Sequence, residues 1–175
     1  MKRFVQVSLV AALLALFAQS ALAATAPIAV GKSAPQFAYH LIDGKALYPK
    51  QLRGHKYILW VMGTWCPSCQ AGSQVVAEHI AELQRKHVAL VEMEAYENLG
   101  ANGPSLASVK NSIGKAADAP NWYWGILNEE QTVTIDPKSA MDVFYLVDEH
   151  GHVVAQGMAP GAHWDIIQSF IAAGS

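Results

Sequence analysis

The hydrophobic residues in the middle of the chain follow two patterns in turn: continuous apolar runs, and apolar positions that recur at the spacing of a helix. Tyr57–Met62 is an unbroken apolar run, typical of a central strand that is covered on both faces. In residues 67–86 apolar positions recur every three or four residues with charges between them, which predicts a helix. Residues 88–93 form a second apolar run. A strand, a helix and a strand in this order predict a right-handed βαβ unit with parallel strands.

Two shorter patterns predict hairpins on either side of this unit. Residues 37–42 read as a strand, and Asp43-Gly44 is typical of a hairpin turn because both residue types accept a positive φ. Val143–Val147 is another clear strand, and the turn at residues 148–151 returns the chain into residues 152–155. We therefore expect an N-terminal hairpin and a C-terminal antiparallel pair around the βαβ unit.

Helical spacing also predicts helices over residues 105–115 and Trp164–Ala172. Residues 119–139 follow neither period clearly, and three aromatic residues stand together there: Trp122, Tyr123 and Trp124. Such a cluster can be an exposed docking patch, but it is more often part of a core, so we expect it inside the domain.

The first residues have the layout of a secretory signal peptide. Met1-Lys2-Arg3 gives a short positive start, residues 4–17 are mostly apolar, and Ala21-Leu22-Ala23 supplies small residues before Ala24. The apolar stretch is shorter than the roughly 20 residues that span a bilayer. Cleavage after Ala23 is the expected outcome, and an uncleaved leader that anchors the chain is the alternative.

The leader sets the expected organisation and compartment. We expect a signal peptide over residues 1–23, a flexible segment over residues 24–35 and a single folded domain over residues 36–175. Export places the chain where disulfides form and persist, most simply in a bacterial periplasm.

Composition narrows the classes of function. The 175 residues have a formal net charge of −2, and without Lys2 and Arg3 the rest carries about −4. This charge argues against a nucleic-acid binder that relies on basic residues. Glycine and proline are scattered without a period among plentiful aromatic and β-branched residues, which excludes collagen-like and disordered chains. A domain of this size needs no disulfide framework, so the 2 cysteines are available for chemistry.

The two cysteines, Cys66 and Cys69, stand where the buried strand turns into the predicted helix. At positions i and i+3 their side chains share a face, close enough for a disulfide to form with little backbone movement. Cys66 falls in the first turn, where unpaired N–H groups and the positive end of the dipole favour a thiolate, which predicts a pKa below that of a free thiol. Pro67 suits the first helical position because it has no N–H to lose. Cys69 lies one turn deeper and is expected to be less exposed.

This arrangement predicts thiol–disulfide exchange with protein substrates, without a bound cofactor or metal. In the reductive direction the Cys66 thiolate attacks a substrate disulfide, and Cys69 then attacks the mixed disulfide and releases the reduced substrate. The oxidative direction reverses these steps, and the sequence does not decide between the two. Protein thiols or disulfides of the cell envelope, and a membrane redox partner, are the expected partners.

Four other uses of the cysteines stay open at this point. They can form a permanent structural disulfide, or half of a zinc site that His150 and His152 complete. A Cu(I)-binding chaperone would use both sulfurs with Met158 or His163, because thiolates and thioethers suit that soft ion. A thiol peroxidase would consume peroxide through Cys66.

The segments around the cysteines resemble a known family. Residues 30–37, residues 41–45, and the apolar strand that leads into residues 63–69 are similar to the TlpA/ResA/DsbE group of exported thiol-disulfide oxidoreductases. Residues 145–148 are similar to the hairpin that follows the cis-proline of that group. The resemblance covers residues 30–172 and implies an α/β thioredoxin fold, with an N-terminal β-hairpin extension and a central mixed sheet flanked by helices.

The resemblance also implies a redox-active pair of Cys66 and Cys69, with Trp65 and Pro67 in supporting positions. Trp65 either shields the sulfur, offers a surface to the substrate, or simply packs against the domain.

The position of the family's cis-proline is occupied by other residues in this chain. Counting back from residues 145–148 places it at Asp142, with Met141 before it, so these two are the candidate substrate-binding residues. A cis bond before a non-proline residue costs about 2.5–4 kcal/mol, so we expect an ordinary trans loop.

The chain also departs from the family at the acid that could take the Cys69 proton. Many relatives carry an acidic residue three positions after the second cysteine, where this chain has Gly72. We identify no buried acid near the pair from the sequence, which leaves water or a distant residue such as Glu94. Glu92, Glu94 and Glu97 alternate with apolar residues near a strand end, which predicts a solvated edge.

Overall fold

The computed structural model describes residues 27–173, so the predicted signal peptide and its cleavage site lie outside the described residues. Within that range the chain forms a seven-stranded mixed sheet and four α-helices. The strands are β1 Tyr39–Leu41, β2 Ala46–Leu47, β3 Tyr57–Met62, β4 Ala89–Glu94, β5 Trp122–Ile126, β6 Val143–Val147 and β7 Val153–Met158. The helices are α1 Pro67–Arg85, α2 Leu106–Ile113, α3 Glu129–Ile135 and α4 Trp164–Ala172. None of the described helices has both the length and the apolar character needed to cross a bilayer.

The sheet is built around the predicted βαβ unit. Its strand order is β2-β1-β5-β4-β3-β6-β7. β3 and β4 run parallel and are joined by α1, and β5 pairs parallel with the other edge of β4. β6 pairs antiparallel with β3, and β7 pairs antiparallel with β6, which confirms the predicted C-terminal hairpin. In this register the end of β3, the start of α1 and the start of β6 meet at one end of the sheet.

β3 lies at the centre of the hydrophobic core. All six of its residues are buried, as are all the residues of β4 and β6 on either side. Gly72 of α1 lies close to Trp60 of β3, because a Cβ at that glycine would lie 3.0 Å from the indole ring. The position that carries an acid in many relatives therefore has no space for one here unless Trp60 moves.

The predicted N-terminal hairpin is present as β1 and β2, which pair antiparallel. The Asp43 carboxylate accepts the backbone N–H of Lys45 at 3.0 Å and closes the turn between them. Upstream of this hairpin the chain runs along β7, where the N–H of Gly31 donates to the carbonyl of Val153 at 2.7 Å. The segment before residue 36 therefore already contacts the sheet.

Residues 119–139, which follow no clear period, contain β5 and α3. Trp122 and Trp124 are buried on one face of β5 and stack with ring centroids 4.7 Å apart, so the prediction of a core cluster is correct for both, whereas Tyr123 is half-buried. α3 begins with a capping box in which the side chains of Asn128 and Gln131 each accept the other's backbone N–H. This local cap starts the helix after β5 ends.

Candidate active site

The two cysteines lie at the junction of β3 and α1, as the sequence predicts. Cys66 is the N-cap residue of α1 in an extended conformation, and its carbonyl accepts the N–H of Gln70 at 3.1 Å. Pro67 occupies the first helical position. Gly63 ends β3 where Met141 approaches closely, since a Cβ at Gly63 would lie 2.7 Å from the terminal carbon of Met141. The turn before Cys66 is therefore shaped by a residue from the β6 side of the sheet.

Cys66 and Cys69 are both free thiols, and they share one face of the first turn of α1. Their sulfurs lie within 4.8 Å of each other. Cys69 is fully buried, whereas Cys66 keeps 8% of its surface exposed, so the predicted order of exposure is confirmed. The pair can close to a disulfide through a small shift, and Cys66 is the more exposed of the two residues.

The surroundings of the two sulfurs separate their acidities. Burial tends to raise the pKa of Cys66, but hydrogen bonds from the Cys69 thiol and from Ser68, whose Oγ lies 3.1 Å from Cys66 Sγ, hold the pKa below the ordinary thiol value. Burial, followed by the hydrogen bond to Cys66, raises the pKa of Cys69 far above that value. Cys66 therefore ionises first, which agrees with its predicted role as the attacking sulfur.

Asp142 brings a carboxylate to the cysteine pair from the start of β6. One of its oxygens lies within 4.8 Å of both sulfurs, and the residue is only 4% exposed. The indole N–H of Trp60 donates to Asp142 Oδ1 at 2.9 Å, while Oδ2 is buried without a hydrogen-bond partner. The expectation that no buried acid stands near Cys69 is therefore wrong. The residue at the family's cis-proline position supplies the acid.

The loop that carries Asp142 is trans, as expected, because residues 27–173 contain no cis peptide bond. Met141 and Asp142 instead adopt positive φ angles of 56° and 59°. The Asp136 carboxylate holds them by accepting the N–H groups of Ala140 and Met141 at 2.9 and 3.0 Å, and the N–H of Ala159 donates to the Asp142 carbonyl at 2.8 Å. The N–H of Met141 is thus already occupied, and Met141 itself is buried.

The turn Tyr96–Gly100, which follows β4, supports the loop before Cys66. Asn98 Oδ1 accepts the backbone N–H of Thr64 at 2.8 Å and its hydroxyl at 3.1 Å, and the Asn98 carbonyl accepts the indole N–H of Trp65 at 2.8 Å. Asn98 Nδ2 donates to Glu94 at 2.6 Å. The turn has four consecutive residues with positive φ, of which three are not glycine: Glu97, Asn98 and Leu99. Trp65 is thereby held in place with 39% of its surface exposed beside Cys66.

Asn98→Ala is expected to lower the free energy of unfolding by about 2–4 kcal/mol. The buried N–H and hydroxyl of Thr64 lose their acceptor, and alanine tolerates the positive φ less well than asparagine. Urea denaturation of the variant measures the change. Asn102→Ala, at an exposed position of the same connection, is the matched control and should change stability by no more than about 0.5 kcal/mol. Equal midpoints for Asn98→Ala and the wild type would show that this turn does not support the site.

Glu92 and Glu94 are buried, so the prediction of a solvated edge is wrong for both, whereas Glu97 is exposed. β4 lies between β3 and β5, so neither of its edges is open, and every one of its residues is buried. Glu92 accepts the indole N–H of Trp122 at 2.8 Å, and Ser73 Oγ lies 2.8 Å from its other oxygen. Burial raises the pKa of Glu92 to about 8, against the opposing effect of these two hydrogen bonds. The carboxyl is therefore held mostly neutral at pH 7.

The three histidine candidates do not join the cysteine pair. In the part of the chain that the structure describes, Cys66, Cys69 and Asp142 form the single group of three side chains with metal-binding spacing among histidine, cysteine and acidic residues. His150 and His152 belong to the turn after β6, at the opposite end of β3 from the cysteines, because Val147 pairs with Tyr57. His163 and Met158 are exposed. The zinc site completed by His150 and His152 is therefore excluded by topology.

Known proteins resemble this chain in sequence over a limited segment. It is 31% identical over 68 residues to the thiol-disulfide oxidoreductase ResA of Bacillus anthracis and of Bacillus thuringiensis (strain Al Hakam). The matched segment covers 39% of this chain and 39% of each relative, so the chain matches about two fifths of the length of these curated relatives. No model of a protein family matches the chain.

Solved structures match over most of the domain. A thioredoxin family thiol:disulfide interchange protein from Chlorobium tepidum TLS aligns with a TM-score of 0.62 at 19% identity, covering 84% of this chain and 100% of that one. A secreted disulfide oxidoreductase of Mycobacterium tuberculosis, homologous to E. coli DsbE, aligns with a TM-score of 0.57 at 17% identity, covering 79% and 96%. The chain therefore has the thioredoxin fold. Together with the ResA matches, these structures confirm its resemblance to the TlpA/ResA/DsbE group.

Proposed function

We propose that this protein is a thiol–disulfide oxidoreductase that exchanges disulfides with protein substrates through Cys66 and Cys69. The observation that carries the proposal is the pair itself: two free thiols within 4.8 Å at the start of a helix, one partly exposed with a lowered pKa and the other buried with a raised pKa. The similarity to ResA and to thiol:disulfide interchange proteins supports the same activity.

The proposed site of action is the bacterial periplasm. It is supported by the signal-peptide layout of residues 1–23 and by the similarity to a secreted disulfide oxidoreductase of Mycobacterium tuberculosis. Residues 24–35 then connect the leader to the redox domain of residues 36–175. The proposed partners are protein thiols or disulfides of the cell envelope, together with a membrane protein that renews the redox state of the pair.

The first step of the proposed reaction is attack by the Cys66 thiolate on a substrate disulfide. A bond forms between Cys66 Sγ and one substrate sulfur, and the other substrate sulfur leaves as a thiolate. Trp65 lies beside this step with 39% of its surface exposed, where it can contact the substrate. Pro67 supports the step by starting α1 directly after Cys66, which brings the positive end of the helix to the thiolate.

In the second step Cys69 loses its proton and attacks Cys66 Sγ, so the pair becomes a disulfide and the substrate leaves with two electrons gained. The Asp142 carboxylate is the proposed acceptor of that proton, because one of its oxygens lies within 4.8 Å of Cys69 Sγ and its Oδ2 has no other partner. Met141, buried against Gly63, shapes the rim that the substrate contacts. Asp142 thus takes a proton-transfer role in addition to the predicted contact with substrate.

Asp142→Asn is expected to slow release of the mixed disulfide by roughly 10²-fold near pH 7. The amide keeps an oxygen that can accept the Trp60 indole N–H, but it cannot accept a proton from Cys69. Rapid-quench kinetics with a disulfide-bonded peptide separates the two steps, and formation of the mixed disulfide should change much less than its release. Raising the pH should restore part of the lost rate, because hydroxide then removes the Cys69 proton. Equal release rates for the variant and the wild type would exclude Asp142 as the acceptor.

The activity is tested by mixing the reduced full chain with a disulfide-bonded peptide and counting thiols. We expect one peptide disulfide to be reduced for each Cys66–Cys69 disulfide formed. Two parallel experiments test the alternatives. Consumption of hydrogen peroxide tests for a peroxidase, and retention of Cu(I) against a competing chelator tests for a copper chaperone. Rapid turnover of peroxide, or one-to-one retention of Cu(I), with a peptide disulfide left intact would overturn the proposal.

A further inference from the structure

Three side chains that can act as metal ligands are crowded together at the cysteine site. Cys66 Sγ, Cys69 Sγ and a carboxylate oxygen of Asp142 all lie within 4.8 Å of one another, and each of the three residues is at least nine-tenths buried. All three groups can lose a proton, and three negative charges at this spacing would repel one another strongly in a buried site unless a bound cation balanced them. Asp142 Oδ2 nevertheless has neither a hydrogen-bond donor nor solvent beside it.

We propose that the reduced protein binds a zinc ion through Cys66 Sγ, Cys69 Sγ and a carboxylate oxygen of Asp142. Water would fill the fourth position of the tetrahedron, on the side where Cys66 is exposed. In the zinc form the two cysteines of the proposed oxidoreductase are bound to the ion and cannot exchange with disulfides. Zinc binding itself does not require the exchange activity.

The donor set favours zinc over other ions. Zn²⁺ accepts both thiolate and carboxylate ligands, whereas Cu(I) prefers sulfur alone and Mg²⁺ or Ca²⁺ prefer oxygen alone. Bonds of about 2.3 Å to sulfur and about 2.0 Å to oxygen separate the ligand atoms of a tetrahedral zinc by roughly 3.5–3.8 Å. The three atoms are within 4.8 Å, so a movement of roughly 1 Å brings them to that spacing.

The carboxylate of Asp142 is already held in position. The Trp60 indole N–H donates to Oδ1 at 2.9 Å, which leaves Oδ2 as the carboxylate oxygen without a hydrogen-bond partner. The Asp136 carboxylate fixes the backbone immediately before Asp142 by accepting the N–H of Met141. Such outer partners orient a ligand before the metal arrives and typically change metal affinity by about 10- to 100-fold when they are removed.

Zinc binding needs no oxidant or reductant. Zn²⁺ replaces the protons on the two sulfurs, these protons pass to the solvent, and no atom changes its oxidation state. A Cys66–Cys69 disulfide leaves no thiolate to bind the ion, so the oxidised protein cannot bind zinc in this way. Zinc therefore discriminates between the two redox states and protects the dithiol from exchange and alkylation.

The test is a titration of the reduced full chain with Zn²⁺ against a chromophoric chelator, and with Co²⁺ as a spectroscopic substitute. We expect one ion per chain, a sulfur-to-cobalt charge-transfer band, and slower alkylation of Cys66 in the presence of zinc. Asp142→Asn should weaken binding by at least about 10-fold, and Cys69→Ser should remove the charge-transfer band of a two-sulfur site. Asp43→Asn, which changes an exposed carboxylate in the β1–β2 turn, is the matched control and should bind as the wild type does.

Two results would overturn the zinc proposal. One is no binding by the reduced wild type, and the other is equal affinity in Asp142→Asn, which would mean that two sulfurs suffice without the carboxylate. Exchange with the disulfide peptide, measured on the same metal-free samples, keeps this outcome separate from the proposed activity. If the protein reduces the peptide but does not bind zinc, only the zinc site is refuted. If it binds zinc but leaves the peptide disulfide intact, only the exchange activity is refuted.

Discussion

Cys66→Ser is expected to abolish reduction of a disulfide-bonded peptide, whereas Cys69→Ser is expected to accumulate a stable mixed disulfide through Cys66. The difference follows from the site, because Cys66 is the more exposed sulfur with the lowered pKa, and Cys69 is the buried sulfur that must release the substrate. Mass spectrometry of the quenched reaction measures both outcomes, since the mixed disulfide adds the mass of one peptide thiol.

No third thiol can form adducts in this experiment, because the chain has only 2 cysteines. The double variant Cys66→Ser, Cys69→Ser is the blank, and neither adduct nor reduction should occur with it. In cell extracts, Cys69→Ser should likewise carry partner proteins as adducts that a reductant removes. Adducts on Cys69 in Cys66→Ser, at a rate equal to that of the reciprocal variant, would reverse the assigned roles of the two sulfurs.

Glu92→Gln is expected to make the protein more stable than the wild type at pH 9 by a few kcal/mol, and to match it near pH 5. Burial raises the pKa of Glu92 from 4.5 to about 8, so the folded state holds a proton that the unfolded state has already lost between these pH values. The stability of the wild type is therefore complete below about pH 4.5 and falls as the pH rises through about 8. Glutamine reproduces the neutral carboxyl, since it can accept from Trp122 and donate to Ser73.

Urea denaturation of both proteins from pH 5 to pH 9 measures this difference. Glu78→Gln, at an exposed position of α1, is the matched control and should follow the wild type at every pH. A constant difference between Glu92→Gln and the wild type across the range would mean that Glu92 titrates normally in the folded protein.

Most of the strands and helices can be predicted from the sequence because residues close together in the chain specify them. The apolar run of β3, the helical spacing of α1 and the strand after it specify the βαβ unit, and the two hairpins have their own turn residues. The order of the cysteines at the start of a helix then predicts which sulfur is exposed and which is buried. These inferences need only neighbours within a few residues.

The acids of the site could not be read in this way because their environment is set by tertiary contacts. Asp142 meets Trp60 from 82 residues away in the chain, and only the antiparallel pairing of β3 with β6 brings them together. Glu92 looks like an edge residue in an alternating pattern until β5 covers the open side of β4. Asn98 likewise reaches Thr64 across 34 residues through a turn with four positive φ angles, which no local sequence pattern predicts.

The most direct test of the central claim is to measure the equilibrium between the Cys66–Cys69 dithiol and its disulfide in glutathione buffers of graded redox potential. The fraction of chains that carry a Cys66–Cys69 disulfide is read by alkylation of the remaining thiols and mass spectrometry. We predict a single two-electron transition between the dithiol and the intramolecular disulfide, whose midpoint shows whether the protein reduces or oxidises its substrates. Thiols that stay unpaired in every buffer, or that form only glutathione adducts, would contradict the account.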